Sequence, residues 1–219
     1  MSEIKQQSKL RITEIFYSLQ GETSTVGLPT VFVRLTGCPL RCKYCDTEYA
    51  FSGGDWMDFP AIYSAIKSYK TSYITVTGGE PLAQPECIPL LKQLCDDSYQ
   101  VSLETSGAMP LEEVDERVRK IMDIKTPDSA EVERNRWQNL SCISKKDQIK
   151  FVICSEQDYL WSKQQLETKS LDSMCEVLFS PSHEQLNPAQ LADWILRDQL
   201  PVRFQMQLHK VLWGNEPGK

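Results

Sequence analysis

Three cysteines fall within eight residues, Cys38-Pro-Leu-Arg-Cys42-Lys-Tyr-Cys45, in the spacing C-x3-C-x2-C, and no fourth cysteine lies nearby. Thiolates are soft ligands that hold the irons of iron–sulfur clusters. Three of them leave the last iron of a 4Fe–4S cubane without a protein ligand. That corner is open to a small molecule and suits the amino and carboxylate groups of S-adenosylmethionine. An electron passed to the sulfonium then breaks a C–S bond and frees a 5′-deoxyadenosyl radical. Zinc knuckles also use close cysteines, usually as paired C-x2-C motifs with a fourth ligand. Here Cys87 and Cys95 come far along the chain, and the two histidines, His183 and His209, come later still. A disulfide would leave one of the three unpaired. Cys87, Cys95, Cys142, Cys154 and Cys175 read as small apolar residues.

Other residues offer chemistry around that centre. Thr77-Gly78-Gly79-Glu80-Pro81 ends an apolar run. Paired glycines let backbone approach a ligand, and their carbonyls can accept from an ammonium group. Glu104-Thr105-Ser106-Gly107 is similar, with hydroxyls suited to a ribose or carboxylate. Gln20, within Leu19-Gln20-Gly21-Glu22, both donates and accepts, as a pterin or purine edge requires. Arg34 interrupts an apolar strand, so it needs an anion: a bound carboxylate or a neighbouring Asp or Glu. Thr47, after Asp46, offers a neutral oxygen for magnesium or simply for a loop hydrogen bond.

The elements that must position these residues alternate. Strands are expected at Ile12–Tyr17, Thr30–Thr36, Tyr73–Thr77, Gln100–Glu104, Lys120–Ile124, Gln148–Ile153, Cys175–Phe179 and Val202–Gln207, short and rich in β-branched residues. Helices are expected over Asp58–Tyr69 and Pro85–Asp97, and from Pro188, where Asn187 reads as the N-cap and Leu191, Trp194 and Ile195 as one apolar face. This alternation predicts an α/β fold with a mostly parallel sheet, in too few units for an eight-fold barrel, hence a partial, open (βα) barrel. Ligands then sit beyond the carboxyl ends of the strands, at Cys38, Gly79, Glu104, Lys125, His183 and His209. Pro127–Arg136 is the most loop-like stretch.

The 219 residues suffice for one sizeable domain, expected to span 1–219 with a cluster loop near 37–47 and a variable tail at 211–219. Lys plus Arg is 24 and Asp plus Glu is 30, a net charge of −6, which argues against broad nucleic-acid binding. No stretch approaches the roughly 20 apolar residues of a membrane span, and no secretory signal opens the chain. A cytoplasmic setting with reduced thiols is expected.

The cysteine motif with the following GGEP resembles the radical S-adenosylmethionine superfamily. FYSLQGE, GLPTVFVRLTGCPLRCKYCDT, TGGEP and the late QLHK together resemble, within it, the 7-carboxy-7-deazaguanine synthase family, over about Ile12 to His209. The resemblance implies ring contraction of 6-carboxy-5,6,7,8-tetrahydropterin to 7-carboxy-7-deazaguanine with loss of ammonia, toward queuosine. It implies that Cys38, Cys42 and Cys45 bind the 4Fe–4S cluster. Tyr44, Cys45, Asp46, Gly79, Lys125, Ser180, Pro181, Ser182 and His183 are implied near S-adenosylmethionine. Leu19, Gln20, Gly21, Arg34, Thr77 and His209 are implied to bind substrate, with Arg34 on its carboxylate, and Thr47 to ligate Mg2+. A flavodoxin- or ferredoxin-like electron donor and a homodimer are implied too. The rivals are a glycyl-radical activating enzyme, for which Arg34 and Gln20 have no evident use, and a zinc-stabilised binding module without catalysis.

Overall fold

Short apolar strands, each followed by a crossover segment, build one twisted sheet. The computed structural model describes residues 8–214 together with Glu216 and Gly218. Residues 1–7 of the expected 1–219 span, and Asn215, Pro217 and Lys219 of the tail, lie outside the described residues.

The strands are β1 (Lys9–Leu19), β2 (Pro29–Leu35), β3 (Asp55–Asp58), β4 (Tyr73–Gly78), β5 (Gln100–Thr105), β6 (Arg119–Ile124), β7 (Gln148–Ile153), β8 (Glu176–Pro181) and β9 (Arg203–Phe204). Their order across the sheet is β3-β1-β2-β4-β5-β6-β7-β8-β9. From β2 to β9 every pairing is parallel, whereas β1 is antiparallel to both β2 and β3. β3 and β9 do not pair, so the sheet is an open partial barrel, as the alternation predicts.

The α-helices are α1 (Phe59–Lys67), α2 (Cys87–Asp96), α3 (Glu156–Thr168), α4 (Leu171–Met174), α5 (Pro188–Arg197) and α6 (Leu208–Trp213), with short 3-10 turns between the elements. α1 begins at Asp58, whose carboxylate accepts from Ala61 N, and α5 at Asn187, which accepts from Ala189 N. The face of Leu191, Trp194 and Ile195 is buried. Apolar side chains of the strands pack against α1, α2, α3 and α5 in one continuous core that runs from Leu10 to Ile195. Phe151, Phe179, Tyr159 and Trp194 join β7 and β8 to α3 and α5 through edge and tilted ring contacts.

Several elements differ from the sequence expectation, and β3, α4 and α6 answer to no expected strand or helix. β1 runs longer, because β3 pairs with its Lys9–Ile12 end. The expected strand Val202–Gln207 stops at Phe204, and Gln207 caps α6 instead. α3 was not anticipated: it is largely polar and buries only Asp158, Tyr159, Ser162 and Leu166.

The loop between β1 and β2 is the feature that shapes the site. Residues 20–28 turn in under the amino-terminal ends of the parallel strands. Thr23 N donates to Gln205 Oε1 (2.8 Å), Ser24 N to Gln148 Oε1 (3.1 Å) and Leu208 N to the Gly21 carbonyl (2.9 Å). Arg119, at the start of β6, donates to Ser24 Oγ (3.0 Å). The hairpin loop thus closes the bottom of the partial barrel and forms the floor of its interior.

Candidate active site

Above that floor, at the carboxyl ends of the strands, lies a cavity of about 500 Å3. All three motif cysteines line it, each partly buried and free. Gly37 leaves β2 with φ of +100°, a conformation that suits glycine, and starts the cysteine loop. The loop is pinned on several sides. Gly37 N donates to the Ala50 carbonyl (2.7 Å), Lys43 N to the Ser129 carbonyl (3.1 Å) and Cys45 N to the Cys42 carbonyl (3.1 Å). Arg41 wraps back onto the carbonyls of Cys38 (2.8 Å) and Leu40 (2.6 Å), with its guanidinium 4.2 Å from the Phe51 ring centroid. Burial pushes all three thiols up, Cys42 to about 11, so iron must displace a proton from each.

The donors are three thiolates on one loop, the soft ligands that iron–sulfur clusters take, and in a cubane each thiolate meets its own iron. Two buried polar atoms on the cavity wall, Tyr44 Oη and Asp123 Oδ1, have no hydrogen-bond partner among the described residues. Buried polar groups are normally satisfied, so the wall is built for polar ligands.

The glycine pair closes the near side. A Cβ on Gly79 would stand 2.3 Å from the Gly37 carbonyl oxygen and 2.7 Å from Cys38 Cβ. Only glycine lets β4 end against the cluster loop. Glu80, fully buried, then ties β4 to β5: its carboxylate accepts from Thr105 Oγ1 (2.9 Å), Ser106 N (2.7 Å) and Leu82 N (3.1 Å).

The far side carries charge. Lys125 Nζ lies 3.1 Å from Asp123 Oδ2 and 5.7 Å from the Tyr44 ring centroid. Burial pulls this ammonium down, but Asp123, Tyr44 and Cys42 outweigh it and hold its pKa well above the ordinary lysine value. Asn135 fixes its backbone, accepting from Lys125 N and donating to Lys125 O, both at 2.8 Å. Ser182 and His183 line the cavity just past β8. Ser180 and Pro181 lie within β8, buried, and do not reach the cavity.

Arg34 stands on the opposite wall. Its Nε donates to Glu14 Oε1 at 2.7 Å, and Tyr49 Oη donates to the same oxygen at 2.8 Å. Phe16 and Phe32 stack beside it, centroids 4.9 Å apart. The neighbouring carboxylate weighed from the sequence is therefore present, yet it occupies the Nε edge and leaves the terminal nitrogens outside that pair. Thr47 Oγ1 donates to Asp46 Oδ1 (2.7 Å); its lone pairs and the Asp46 carboxylate are hard oxygens of the kind magnesium takes.

The floor brings Gln20, Gly21, Glu22 and His209 together. Gln20 Nε2 donates to Thr75 Oγ1 (3.1 Å) and Glu104 Oε1 (3.3 Å), and Thr77 Oγ1 donates to Glu104 Oε2 (3.2 Å). His209 packs so close over Gly21 that a Cβ there would meet its Nδ1 at 2.2 Å. Burial lowers the His209 pKa against the pull of Glu22 and Asp46. Leu19 and Thr77 also line the cavity, as does Glu216 of the tail. Of the residues singled out from the sequence, only Ser180 and Pro181 stay away. Glu22, Asp123, Lys150 and Gln207 line the cavity without having been singled out as binding residues, and Glu104, expected only as a strand end, lines it too.

The profile of the Radical SAM superfamily matches residues 32–133. The chain is 44% identical to the 7-carboxy-7-deazaguanine synthase of Chlorobaculum tepidum over 211 residues, 95% of this chain and 96% of that protein. It is 40% identical to the protein of the same name from Koribacter versatilis, over 94% of this chain and 98% of the other. Among solved structures, the crystal structure of QueE from Escherichia coli superposes with a TM-score of 0.76 at 21% identity, covering 92% of this chain and 95% of that one. That last likeness concerns the fold.

Proposed function

The chain belongs to the 7-carboxy-7-deazaguanine synthase family, and from that premise we propose how its cavity carries out the family's reaction. The enzyme is a radical S-adenosylmethionine lyase of the queuosine pathway. It contracts 6-carboxy-5,6,7,8-tetrahydropterin to 7-carboxy-7-deazaguanine with loss of ammonia. When bound, the 4Fe–4S cluster and S-adenosylmethionine supply the 5′-deoxyadenosyl radical that takes a hydrogen atom from C6 of the substrate and later returns one.

The chain's own residues hold and enclose the reactants. Cys38, Cys42 and Cys45 ligate the cluster. Gly79 offers its backbone to the methionyl ammonium, while Tyr44, Asp46, Lys125, Ser182 and His183 surround the rest of the cofactor. Ser180 and Pro181 act from within β8, by fixing where Ser182 begins. Arg34 pairs its terminal nitrogens with the substrate carboxylate. Leu19, Gln20, Gly21, Thr77 and His209 seat the ring from below, and Thr47 with Asp46 holds Mg2+ as a template. The floor loop keeps bulk water from the radicals. Around this site we read residues 1–219 as one domain, reduced by a flavodoxin- or ferredoxin-like donor, working as a homodimer in the cytoplasm. No helix among the described residues is long and apolar enough to cross a membrane.

The carrying observation is the convergence of the cysteine loop, Arg34 and the Gln20 floor on one cavity. The test is anaerobic incubation of the iron-loaded enzyme with carboxytetrahydropterin, S-adenosylmethionine, Mg2+ and a reductant. A deazapurine product and one ammonia per turnover are expected; cofactor cleavage without that product would refute the reading.

A further inference from the structure

Lys150 is the third residue of β7, in the run Gln148-Ile-Lys-Phe-Val-Ile153. Its side chain is 13% exposed, and a buried ammonium needs anions around it. Nζ lies 2.7 Å from Glu22 Oε2 and 3.8 Å from Asp123 Oδ2. Glu22 accepts in addition from Gln207 Nε2 (2.9 Å) and Gln205 Nε2 (3.4 Å). One cation thus joins the floor loop to β6 and β7, and the segment around β9 grips the same carboxylate.

We propose that Lys150 is a positioning residue for the reaction: it locks the Glu22 carboxylate, ionised, into the cavity floor as an acceptor for the N–H donors of the pterin ring. The proposal rests on the cavity being the pterin pocket. With Arg34 on the substrate carboxylate, the 2-amino-4-oxo ring edge remains, and its ring N–H and amino group need acceptors. Each carboxylate oxygen of Glu22 accepts two hydrogen bonds at least, so its present donors do not exhaust it. Lysine and glutamine donors also set its direction from three sides, which preorganises it before substrate arrives.

The electrostatics support the same role. Burial pushes the Glu22 carboxyl up, but the charge and hydrogen bond of Lys150, with help from Gln207 and His209, bring it below the ordinary glutamate value. Burial pulls Lys150 down, and Glu22, Asp123 and Glu104 together raise it above the ordinary lysine value. The charged and titratable groups acting on this pair are Glu104 from β5, Asp123 from β6, His209 from α6 and Asp46 from the cluster side; Lys210 stands beyond them, against His209 and Asp46. Lys150 is in direct contact with Glu22, 2.7 Å from its Oε2. Without it, the glutamine donors and the His209 charge alone oppose burial at Glu22, and the carboxyl takes up a proton at higher pH.

The test is the pH profile of kcat/KM for carboxytetrahydropterin in Lys150→Met and Lys150→Arg. In the methionine variant the acid limb should move up by on the order of 1–3 pH units, with cluster absorbance and S-adenosylmethionine binding unchanged. Lys150→Arg should return it toward the wild-type position. An unmoved limb, or a loss equal at every pH, overturns the proposal. If the methionine variant does not fold, Glu22→Gln reads the same point: its acid limb should vanish, and a limb that persists overturns the proposal. Wild-type enzyme is the separate control, since a wild type that makes no deazapurine refutes the pocket itself.

Discussion

Replacing Gly79 by alanine tests how tightly β4 and the cysteine loop are joined. The new methyl would lie 2.3 Å from the Gly37 carbonyl oxygen, 2.7 Å from the Gly37 carbonyl carbon and 2.7 Å from Cys38 Cβ, where ordinary contact begins near 3.4 Å. None of these atoms is the end of a flexible side chain, so the cysteine loop must retreat by about 1 Å. That retreat strains the Glu80 N to Gly37 O bond (2.8 Å) and the Gly79 N to Leu35 O bond (3.2 Å). Overpacking costs about 1–3 kcal/mol, and one lost hydrogen bond adds about 1 kcal/mol. A total of roughly 2–4 kcal/mol lowers Tm by roughly 4–16 °C in a chain of this size. Cys38 moves with the loop, so iron content after anaerobic reconstitution should fall as well. Thermal melting and iron per chain are the two measurements. A variant with wild-type Tm and a full complement of iron would show that the contact between strand end and cluster loop is not rigid, and the reasoning would fail.

Arg34→Lys keeps the charge but loses the planar fork held by Glu14 at its Nε. Charge-assisted bonds of this kind are worth about 1.5–3 kcal/mol, so KM for the pterin should rise roughly 10- to 150-fold, with iron content unchanged; an unchanged KM in steady-state assays counts against the assignment. Gly21→Ala places a methyl 2.2 Å from His209 Nδ1 and 3.1 Å from His209 N. The ring can turn away, so Tm should change little, while loss of the seated imidazole raises KM on the order of 10-fold; wild-type KM would refute the contact. Asn139, fully buried, accepts from Leu111 N and donates to the carbonyls of Gly107 and Met109. Asn139→Ala leaves those groups unsatisfied and should cost about 2–4 kcal/mol in urea unfolding, and a loss below about 0.5 kcal/mol would show that water replaces it.

Much of the site was legible because strand ends are marked by composition. Apolar runs give way to Gly, Thr, Ser and Cys where the chain leaves the sheet, and those are the residues that line the cavity. Arg34 was legible as a charge inside an apolar strand. Lys150 carries the same signal in β7, yet sequence alone does not say which of several such residues points inward. Its partner Glu22 is 128 positions away, and only the hairpin loop brings the two within contact. The end of β9 was hidden for a related reason. Val202–Gln207 has the composition of a strand, but Gln205 turns its side chain to the floor loop, and the chain leaves the sheet to follow it. β3 is four residues, Asp-Trp-Met-Asp, held by pairing with β1 rather than by its own pattern. α3 lacks an apolar stripe because it covers the sheet with Tyr159 and Leu166 and spends Asp158 on Thr126 Oγ1 and the backbone amides of Asp128 and Cys154.

The hairpin floor has a consequence for when this enzyme becomes competent during its synthesis. The Gly21 carbonyl waits for Leu208 N, and the Glu22 carboxylate for Gln207, partners made by the ribosome nearly the whole chain later. A nascent chain already displays its three thiols while the base of the chamber is still unlatched. Radical chemistry begun at that stage would meet solvent from below, so the chamber is sealed only once Gln207 and Leu208 have been made and seated against the loop between β1 and β2.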